Sequence, residues 1–327
     1  MNRSIRALLA ALVALVLAVA VAACGSDDKS SGGGGGGGSS SSGGGKLIKK
    51  NSANASKSIS VGSKNFTEQF ILGNIYADAL QAAGYKVTKQ LNLGSEVVAF
   101  KSLKQGEVDA YPEYTGTALT SFYKVKVTDV PTDANQAYTE VKSKLAKDKI
   151  TALPQAPFDN TYRLGMTKAG AKKIGNPKTI SDLKGKSQKL VINGFPECRQ
   201  RPDCLLGVEK TYGLKFKKFL ANESKYEVLD KNQADVAFIF TTDANLATNK
   251  YVILDDDKKL FPPYHISFMV KDDVLKKLGP DAQKTVEQVQ KPLTDKVMRE
   301  LNSRVDLDKK KPAEVAQEYL RESGFIK

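Results

Sequence analysis

The chain has 327 residues, of which 41% are apolar and 26% charged, with 26 Gly, 12 Pro and 3 Cys. These values exclude a disordered chain, a collagen-like repeat and a miniprotein dense in disulfides, and the length allows two domains of ordinary size. Fifty Lys and Arg against 36 Asp and Glu give a formal net charge of +14. Because the lysines are scattered and not gathered in one stripe, we interpret the charge as a solvated basic surface.

The first 23 residues have the pattern of an export signal. Arg3 and Arg6 precede an unbroken apolar run, Ala7 to Ala23, which is shorter than the roughly 20 residues that a membrane span needs. Small residues end this run directly before Cys24, which is typical of a secretory signal peptide and similar to the lipobox of bacterial lipoproteins. We expect a signal peptide over 1–23 and a lipid anchor at Cys24; an ordinary signal peptide with an incidental Cys is the alternative. Removal of residues 1–23, with Arg3 and Arg6, lowers the formal net charge to 14 − 2 = +12.

Residues 24–57 are predicted to form a flexible tether. They include seven consecutive Gly at 32–38, four Ser at 39–42 and three further Gly at 43–45. Glycine loses the most conformational entropy on ordering, and this segment has little apolar surface to bury in compensation. A tether of about 30 such residues has a root-mean-square span near 30 Å, so a folded body can work a short distance from the membrane.

From residue 58 onward, strand and helix patterns alternate. Ile59-Ser60-Val61 predicts a strand, and Asn65 with Glu68 predicts the N-cap and N3 residues of a helix that runs to Gly84. This rhythm indicates a largely parallel sheet with helices on its faces, and its recurrence indicates two α/β lobes. Further strands are predicted at 87–91, 108–111, 162–166, 190–193, 216–220 and 234–240, and further helices at 96–105, 202–212, 225–231, 280–302 and 312–323.

The loops at the strand ends carry an unusual set of side chains. Aromatic faces attract a cation, most strongly one that water solvates poorly, such as a quaternary ammonium. Lys, Arg and helix N-termini attract a carboxylate. Since ligands of α/β sheets lie beyond the carboxyl ends of strands, these residues together suit a small zwitterion. The aromatic residues are Tyr114, Tyr162, Phe240 and Tyr264, and the cationic ones are Lys64 and Arg201.

At this point the chain resembles a known family, the substrate-binding lipoproteins of osmoprotectant ABC transporters. The segments that carry the resemblance are GSKNFTEQFILGNIYADAL, GEVDAYPEYTGTAL, NTYRLGM, RPDCLLGVEKTYG, FTTD and FPPY, in this order along the chain. The resemblance implies a two-lobed periplasmic-binding-protein clamp that catches glycine betaine, choline or carnitine and presents it to a membrane permease. It also implies two hinge crossings, with lobe I over 58–159 plus 265–327 and lobe II over 160–264, in an exported monomer.

The resemblance also assigns roles to individual residues. The aromatic cage falls on Tyr114, Tyr162, Phe240 and Tyr264, although similar proteins usually have Tyr at the position of Phe240. Contacts to a ligand carboxylate fall on Lys64, Thr117 and Arg201, and Asn160 stands where relatives place a polar neighbour of the cage. Asn65, Glu197 and Asp243 lie in the same motifs, and whether they contact ligand or support structure stays open. We interpret Glu113 as a rim or helix-start residue.

Cys198 and Cys204 are predicted to form a disulfide, because disulfides persist in exported proteins. The bridge would brace the loop that carries Arg201. Two free thiols are the alternative. Relatives often have Gly at the position of Cys204, so the bridge is a feature of this sequence and not of the family.

Three other functions compete with the osmolyte-binding interpretation. A clamp of the same fold could bind an amino acid or another small cation, but an ammonium needs acceptors and carboxylates that the predicted site lacks. An exported enzyme would depend on His265, the only histidine, and the sequence has neither a nucleophile elbow nor an HExxH motif. A DNA-capturing surface protein is suggested only by the charge. We therefore expect a binding protein without catalytic activity, metal, cofactor or nucleic-acid partner.

Overall fold

The computed structural model describes residues 46–327, so the predicted signal peptide, Cys24 and most of the predicted tether lie outside the described residues. The described chain contains two five-stranded sheets, each covered by helices. The strands are β1 (Ser58–Gly62), β2 (Lys86–Gln90), β3 (Ala110–Tyr114), β4 (Ile150–Ala152), β5 (Tyr162–Thr167), β6 (Val191–Gly194), β7 (Lys218–Ala221), β8 (Val236–Phe240), β9 (Tyr251–Leu254) and β10 (Ile266–Lys271). The first sheet has the order β2-β1-β3-β10-β4 and the second β7-β6-β8-β5-β9.

Helices pack on the faces of both sheets and bury their apolar sides there. In the first sheet, α1, α9, α10 and α11 share one core, and α2 and α4 share the core on the other face. No helix within residues 46–327 is both long and apolar enough to cross a membrane. The helices are α1 (Thr67–Ala82), α2 (Glu96–Gln105), α3 (Thr115–Thr117), α4 (Ala134–Ala146), α5 (Lys168–Lys173), α6 (Leu205–Tyr212), α7 (Lys225–Asp230), α8 (Asp272–Leu278), α9 (Pro280–Gln290), α10 (Asp295–Asp306) and α11 (Pro312–Glu322).

Each sheet contains one strand that is antiparallel to both of its neighbours. In the first sheet this strand is β10, which pairs with β3 and β4, and in the second it is β5, which pairs with β8 and β9. Both β5 and β10 directly follow a passage of the chain from one sheet to the other. The two passages lie side by side: Asp159 and His265 form an isolated β-bridge, and the Tyr264 backbone N–H donates to Asp159 Oδ1 at 2.6 Å.

Three predicted elements differ from the structure. The helix α1 begins at Thr67 with Phe66 as its N-cap residue, so the predicted capping by Asn65 and Glu68 is wrong. The strand predicted at 108–111 is β3, which runs through Pro112 to Tyr114; β1 pairs with β3 only at Ala110, so a proline is tolerated beyond that point. The single helix predicted at 280–302 is two helices, because Pro292 lies between α9 and α10.

Candidate functional site

A cleft of about 530 Å³ lies where the carboxyl ends of strands from both sheets meet. Its wall contains residues from both sheets and from α10. The structure brings together all the side chains that the sequence singled out for ligand binding, namely Lys64, Tyr114, Thr117, Asn160, Tyr162, Arg201, Phe240 and Tyr264. Asn65 and Asp243 also line the cleft, whereas the side chain of Glu197 lies outside the described part of the structure.

The antiparallel strands explain why aromatic residues far apart in sequence meet here. Tyr162 is the first residue of β5 and Phe240 the last of β8, and the strand register pairs them directly. In the first sheet, Tyr114 at the end of β3 pairs with Ile266 at the start of β10, two residues after Tyr264. An antiparallel strand begins where its neighbour ends, so both passages between the sheets deliver an aromatic residue to the same edge.

Tyr162 and Phe240 form a wall of the cleft that is rigidly supported. Their ring centroids are 4.7 Å apart with an interplanar angle of 32°, and Phe195 and Phe261 each lie 6.0 Å from Tyr162. Such tilted aromatic pairs stabilise the fold by more than the burial of their apolar area alone. Burial raises the pKa of Tyr162 to about 12, so its ring stays neutral at physiological pH.

The Tyr264 ring lies close to the backbone at Gly116 and also packs against the core of the first sheet. A β-carbon added at Gly116 would lie 2.7 Å from Tyr264 Cε1 and 2.9 Å from the carbonyl oxygen of Pro263. Glycine at position 116 therefore lets α3 approach the Tyr264 ring closely. This contact fixes Tyr264 on the side of the cleft that Tyr114 also lines.

Glu68 is a buried carboxylate at the floor of the cleft. Its Oε1 accepts hydrogen bonds from the Tyr114 hydroxyl at 2.7 Å and from Asn160 Nδ2 at 3.0 Å, and its Oε2 accepts from Asn302 Nδ2 at 2.9 Å. Asn302 Nδ2 also donates to the carbonyl oxygen of Thr242, which follows β8. Burial raises the pKa of Glu68, and the hydrogen bonds oppose that rise. The network joins the first sheet, a passage between the sheets and the end of β8.

Lys64 is paired with a second buried carboxylate. Its ammonium forms an ion pair with Glu113 and lies 4.5 Å from the centroid of the Tyr114 ring. Glu113 also accepts from the Tyr111 hydroxyl at 3.0 Å and from the Tyr114 backbone N–H at 2.7 Å. The interpretation of Glu113 as a rim or helix-start residue is therefore wrong, because it is a fully buried strand residue. Burial raises its pKa, and the charge of Lys64 lowers it.

Arg201 is held in place by its own loop. Its Nε donates to Asp203 Oδ1 at 2.8 Å and its Nη2 to Asp203 Oδ2 at 2.5 Å, a two-point pairing with a fully buried carboxylate. The guanidinium carbon lies 6.0 Å from the centroid of Tyr162. Cys198 and Cys204, both buried, flank this loop with their Cα atoms 5.1 Å apart, a separation usual for a disulfide.

The cleft contains more carboxylates than the sequence led us to expect. Glu68, Glu96, Asp243 and Asp306 all line it. The premise that the site lacks carboxylates is therefore wrong. The sequence pattern predicts Glu68 in a helix cap and gives no signal for Asn302, because α10 brings Asn302 to the cleft from more than 200 residues beyond Glu68.

The chain is similar in sequence and in fold to several known proteins. A family model for the substrate binding domain of the ABC-type glycine betaine transport system matches residues 57–322. The chain is 31% identical to a glycine-betaine-binding protein of Pseudomonas aeruginosa, over 83% of this chain and 89% of the relative. It is also 31% identical to the carnitine transport binding protein OpuCC of Listeria monocytogenes, over 84% and 89% of the two chains.

A solved structure of a glycine betaine/carnitine/choline ABC transporter protein has a TM-score of 0.75 and 27% identity, over 80% of this chain and 97% of that chain. The apo structure of YehZ from Escherichia coli has a TM-score of 0.71 and 29% identity, over 83% and 99% of the two chains. These similarities confirm the predicted α/β clamp with two lobes.

Proposed function

Because this chain belongs to the family of substrate-binding domains of ABC-type glycine betaine transport systems, we propose that it captures a quaternary-ammonium osmolyte between its lobes and delivers it to an ABC permease. One observation carries the proposal: four aromatic side chains from both lobes line a single cleft. They are Tyr114, Tyr162, Phe240 and Tyr264. A trimethylammonium group spreads its charge over methyl groups and fits aromatic faces better than it fits water.

The polar side of the cleft suits the carboxylate of a betaine. Arg201 and Lys64 carry positive charge next to Tyr162 and Tyr114 respectively, and Thr117 offers a hydroxyl nearby. Asp203 and Glu113 hold these two cations in position. We propose that the ligand places its ammonium among the aromatic rings and its carboxylate toward Arg201, with Asn160 beside the cage.

The proposal includes the setting of the protein. It acts outside the cytoplasm as a non-enzymatic monomer, it requires no metal or cofactor, and its partners are the ligand and a permease. Cys24 carries a lipid that anchors the chain to the outer face of the membrane, and residues 24–57 form the tether. The Cys198–Cys204 disulfide braces the loop of Arg201. The proposed lobes are 58–159 plus 265–327 and 160–264, and the separation of the strands into two sheets supports this division.

Binding of an amino acid in the same clamp is the second candidate function, and the acidic residues of the cleft are the observation that favours it. The named relatives favour the osmolyte instead, since they bind glycine betaine and carnitine. The two candidates differ in one chemical feature of the ligand, the presence of N-methyl groups.

Calorimetric titration with glycine betaine and glycine, which differ only in three N-methyl groups, tests the proposal. We expect glycine betaine to bind and glycine to bind at least about a hundredfold more weakly, since each cation–π contact contributes up to about 2 kcal/mol. The same titration is made with Tyr162→Ala, which should weaken glycine betaine binding at least about tenfold. Tyr138→Ala removes an aromatic residue of α4 outside the cleft and is the matched control, which should leave the affinity unchanged. Equal affinity for the two ligands would reject the aromatic cage and favour the amino-acid clamp.

A further inference from the structure

A lysine already contacts the Phe240 ring. Lys225, the first residue of α7, places its Nζ 4.4 Å from the centroid of Phe240 and 2.6 Å from Asp243 Oδ2. Its side chain is 20% exposed. Phe240 and Asp243 both line the cleft, so an ammonium of the protein itself lies against this part of the cage wall.

We propose that Lys225 is a specificity-determining residue, which makes the cage discriminate against ligands with a net positive charge. This inference rests on the proposed function, the binding of a quaternary ammonium in the cage. A ligand cation that contacts the Phe240 ring must share it with the Lys225 ammonium. Two like charges against one ring repel each other in a partly desolvated site, where the repulsion is stronger than in water.

Lys225 also neutralises Asp243, whose carboxylate is hydrogen-bonded to the Phe240 backbone. Asp243 Oδ2 accepts from the Phe240 backbone N–H at 2.9 Å and from the Tyr226 hydroxyl at 2.9 Å, in addition to its ion pair with Lys225. The first two contacts hold Asp243 at the cleft independently of Lys225. Removing the lysine charge therefore leaves an uncompensated carboxylate beside the cage, where it would attract a bound cation.

The consequence differs between two classes of ligand. Choline carries a positive charge alone, so it gains from the loss of Lys225 without any opposing effect. Glycine betaine carries a carboxylate as well, and the uncompensated Asp243 repels it. Lys225 thus favours zwitterions over simple cations of the same ammonium type, and its effect appears in the ratio of the two affinities.

The test is calorimetric titration of the purified full-length chain and its Lys225→Met variant with choline and glycine betaine. We expect Lys225→Met to bind choline about tenfold more tightly and glycine betaine no more than about twofold more tightly. A tenfold change is the size expected when one nearby positive charge is removed from a partly desolvated site. Lys231→Met is the matched control, because Lys231 follows the same helix and pairs with Glu227 on the protein surface. It should leave both affinities unchanged.

The double variant Lys225→Met with Asp243→Asn separates the two ways in which Lys225 acts. A ratio of choline to glycine betaine affinity that returns to that of the parent shows that Asp243 transmits the effect, and a ratio that stays raised shows that direct repulsion by Lys225 does; both outcomes support Lys225 as the specificity-determining residue. Lys225→Gln provides the same comparison if Lys225→Met does not fold. An unchanged ratio in the lysine variants overturns the inference while the proposed function stands. A parent that binds neither ligand overturns both.

Discussion

Tyr162 and Phe240 lie directly opposite each other on β5 and β8, with their ring centroids 4.7 Å apart. The pairing is fixed by the register of the second sheet and by the aromatic neighbours of Tyr162. Half of the proposed cage is therefore assembled within one lobe, and the ordering of these two rings costs no free energy when a ligand arrives. Pre-organisation of this kind favours affinity.

Removal of single cage rings is the first prediction. Tyr114→Ala, Tyr162→Ala and Tyr264→Ala should each weaken glycine betaine binding at least about tenfold, which corresponds to about 1.4 kcal/mol. Calorimetric titration of the folded variants measures the effect. Variants that fold and bind as the parent does would show that these rings cover a core and do not contact the ligand.

The tyrosine hydroxyls distinguish two of these residues. The Tyr114 hydroxyl donates to Glu68, whereas the Tyr162 hydroxyl makes no hydrogen bond to any side chain that the structure describes. Tyr114→Phe leaves the buried Glu68 with one donor fewer and should lower the free energy of unfolding by about 1–3 kcal/mol. Tyr162→Phe should change it by less than about 0.5 kcal/mol. Denaturant unfolding measures the free energy of unfolding of both variants. Equal losses in the two variants would contradict a stabilising hydrogen bond from Tyr114 to Glu68.

The sequence predicted the two-lobed fold and the ring of cleft residues, because strand ends, turns and motifs are local patterns. It did not predict that Asn302 lines the cleft or that Lys225 contacts the Phe240 ring. Both residues belong to helices, and only tertiary packing decides where a helical side chain points. Glu68 was assigned to a helix cap because Asn65 and Glu68 have capping-box spacing, yet the backbone enters α1 at Phe66 and directs Glu68 into the cleft. The break between α9 and α10 follows from Pro292, because proline cannot continue a helix without losing a backbone hydrogen bond.

The ion pair of Lys64 and Glu113 gives a prediction for stability. Lys64→Met leaves a buried carboxylate without its counter-ion, so we expect the free energy of unfolding at pH 7 to fall by about 3 kcal/mol or more. Lys104→Met removes a lysine from the more exposed pair with Asp148 and should cost less than about 1 kcal/mol. Denaturant titration measures both.

The double variant Lys64→Met with Glu113→Gln should recover most of the stability lost in Lys64→Met, because the buried charge disappears with its partner. If the double variant is no more stable than Lys64→Met, the loss comes from packing and not from the orphaned charge.

The raised pKa of Glu68 predicts a pH dependence of stability. Because the folded-state pKa lies above the ordinary value of 4.5, the folded protein binds more protons than the unfolded chain between these two pKa values. The stability that Glu68 contributes is therefore present in full below pH 4.5 and is lost as the pH rises through the folded-state pKa. The difference in unfolding free energy between the parent and Glu68→Gln, measured from pH 4 to 8, should decrease with rising pH. A difference that is flat or increases with pH would contradict the assignment.

Loss of the proposed disulfide should weaken ligand binding while leaving the protein folded. The loop closed by Cys198 and Cys204 is short, so its closure entropy is worth only about 2 kcal/mol, which corresponds to a few degrees in Tm. Replacing both cysteines by serine should weaken glycine betaine binding about tenfold, the effect of an Arg201 that is no longer held in place. Titration of thiols in the unfolded, non-reduced protein tests whether the disulfide exists. Reactive thiols at both Cys198 and Cys204 would show that it does not.

Membrane attachment should depend on Cys24. Cys24→Ala is expected to move the protein from the membrane fraction to the soluble fraction, because the proposed lipid attaches the chain to the membrane. Fractionation of cells with an antibody against the folded body measures the distribution, with Cys198→Ser as a cysteine control that should remain membrane-bound. A Cys24→Ala protein that is processed normally and stays with the membrane contradicts the lipid anchor.

The bridge between Asp159 and His265 gives the molecule the form of one domain inserted into another. All five strands of the first sheet lie before residue 153 or after residue 265, and the chain leaves and returns at adjacent positions. A short linker from Asp159 to His265 would therefore excise the second sheet and keep the first sheet whole. Insertions of this kind are tolerated where the ends of the inserted segment lie close together, so the excised first domain should fold by itself.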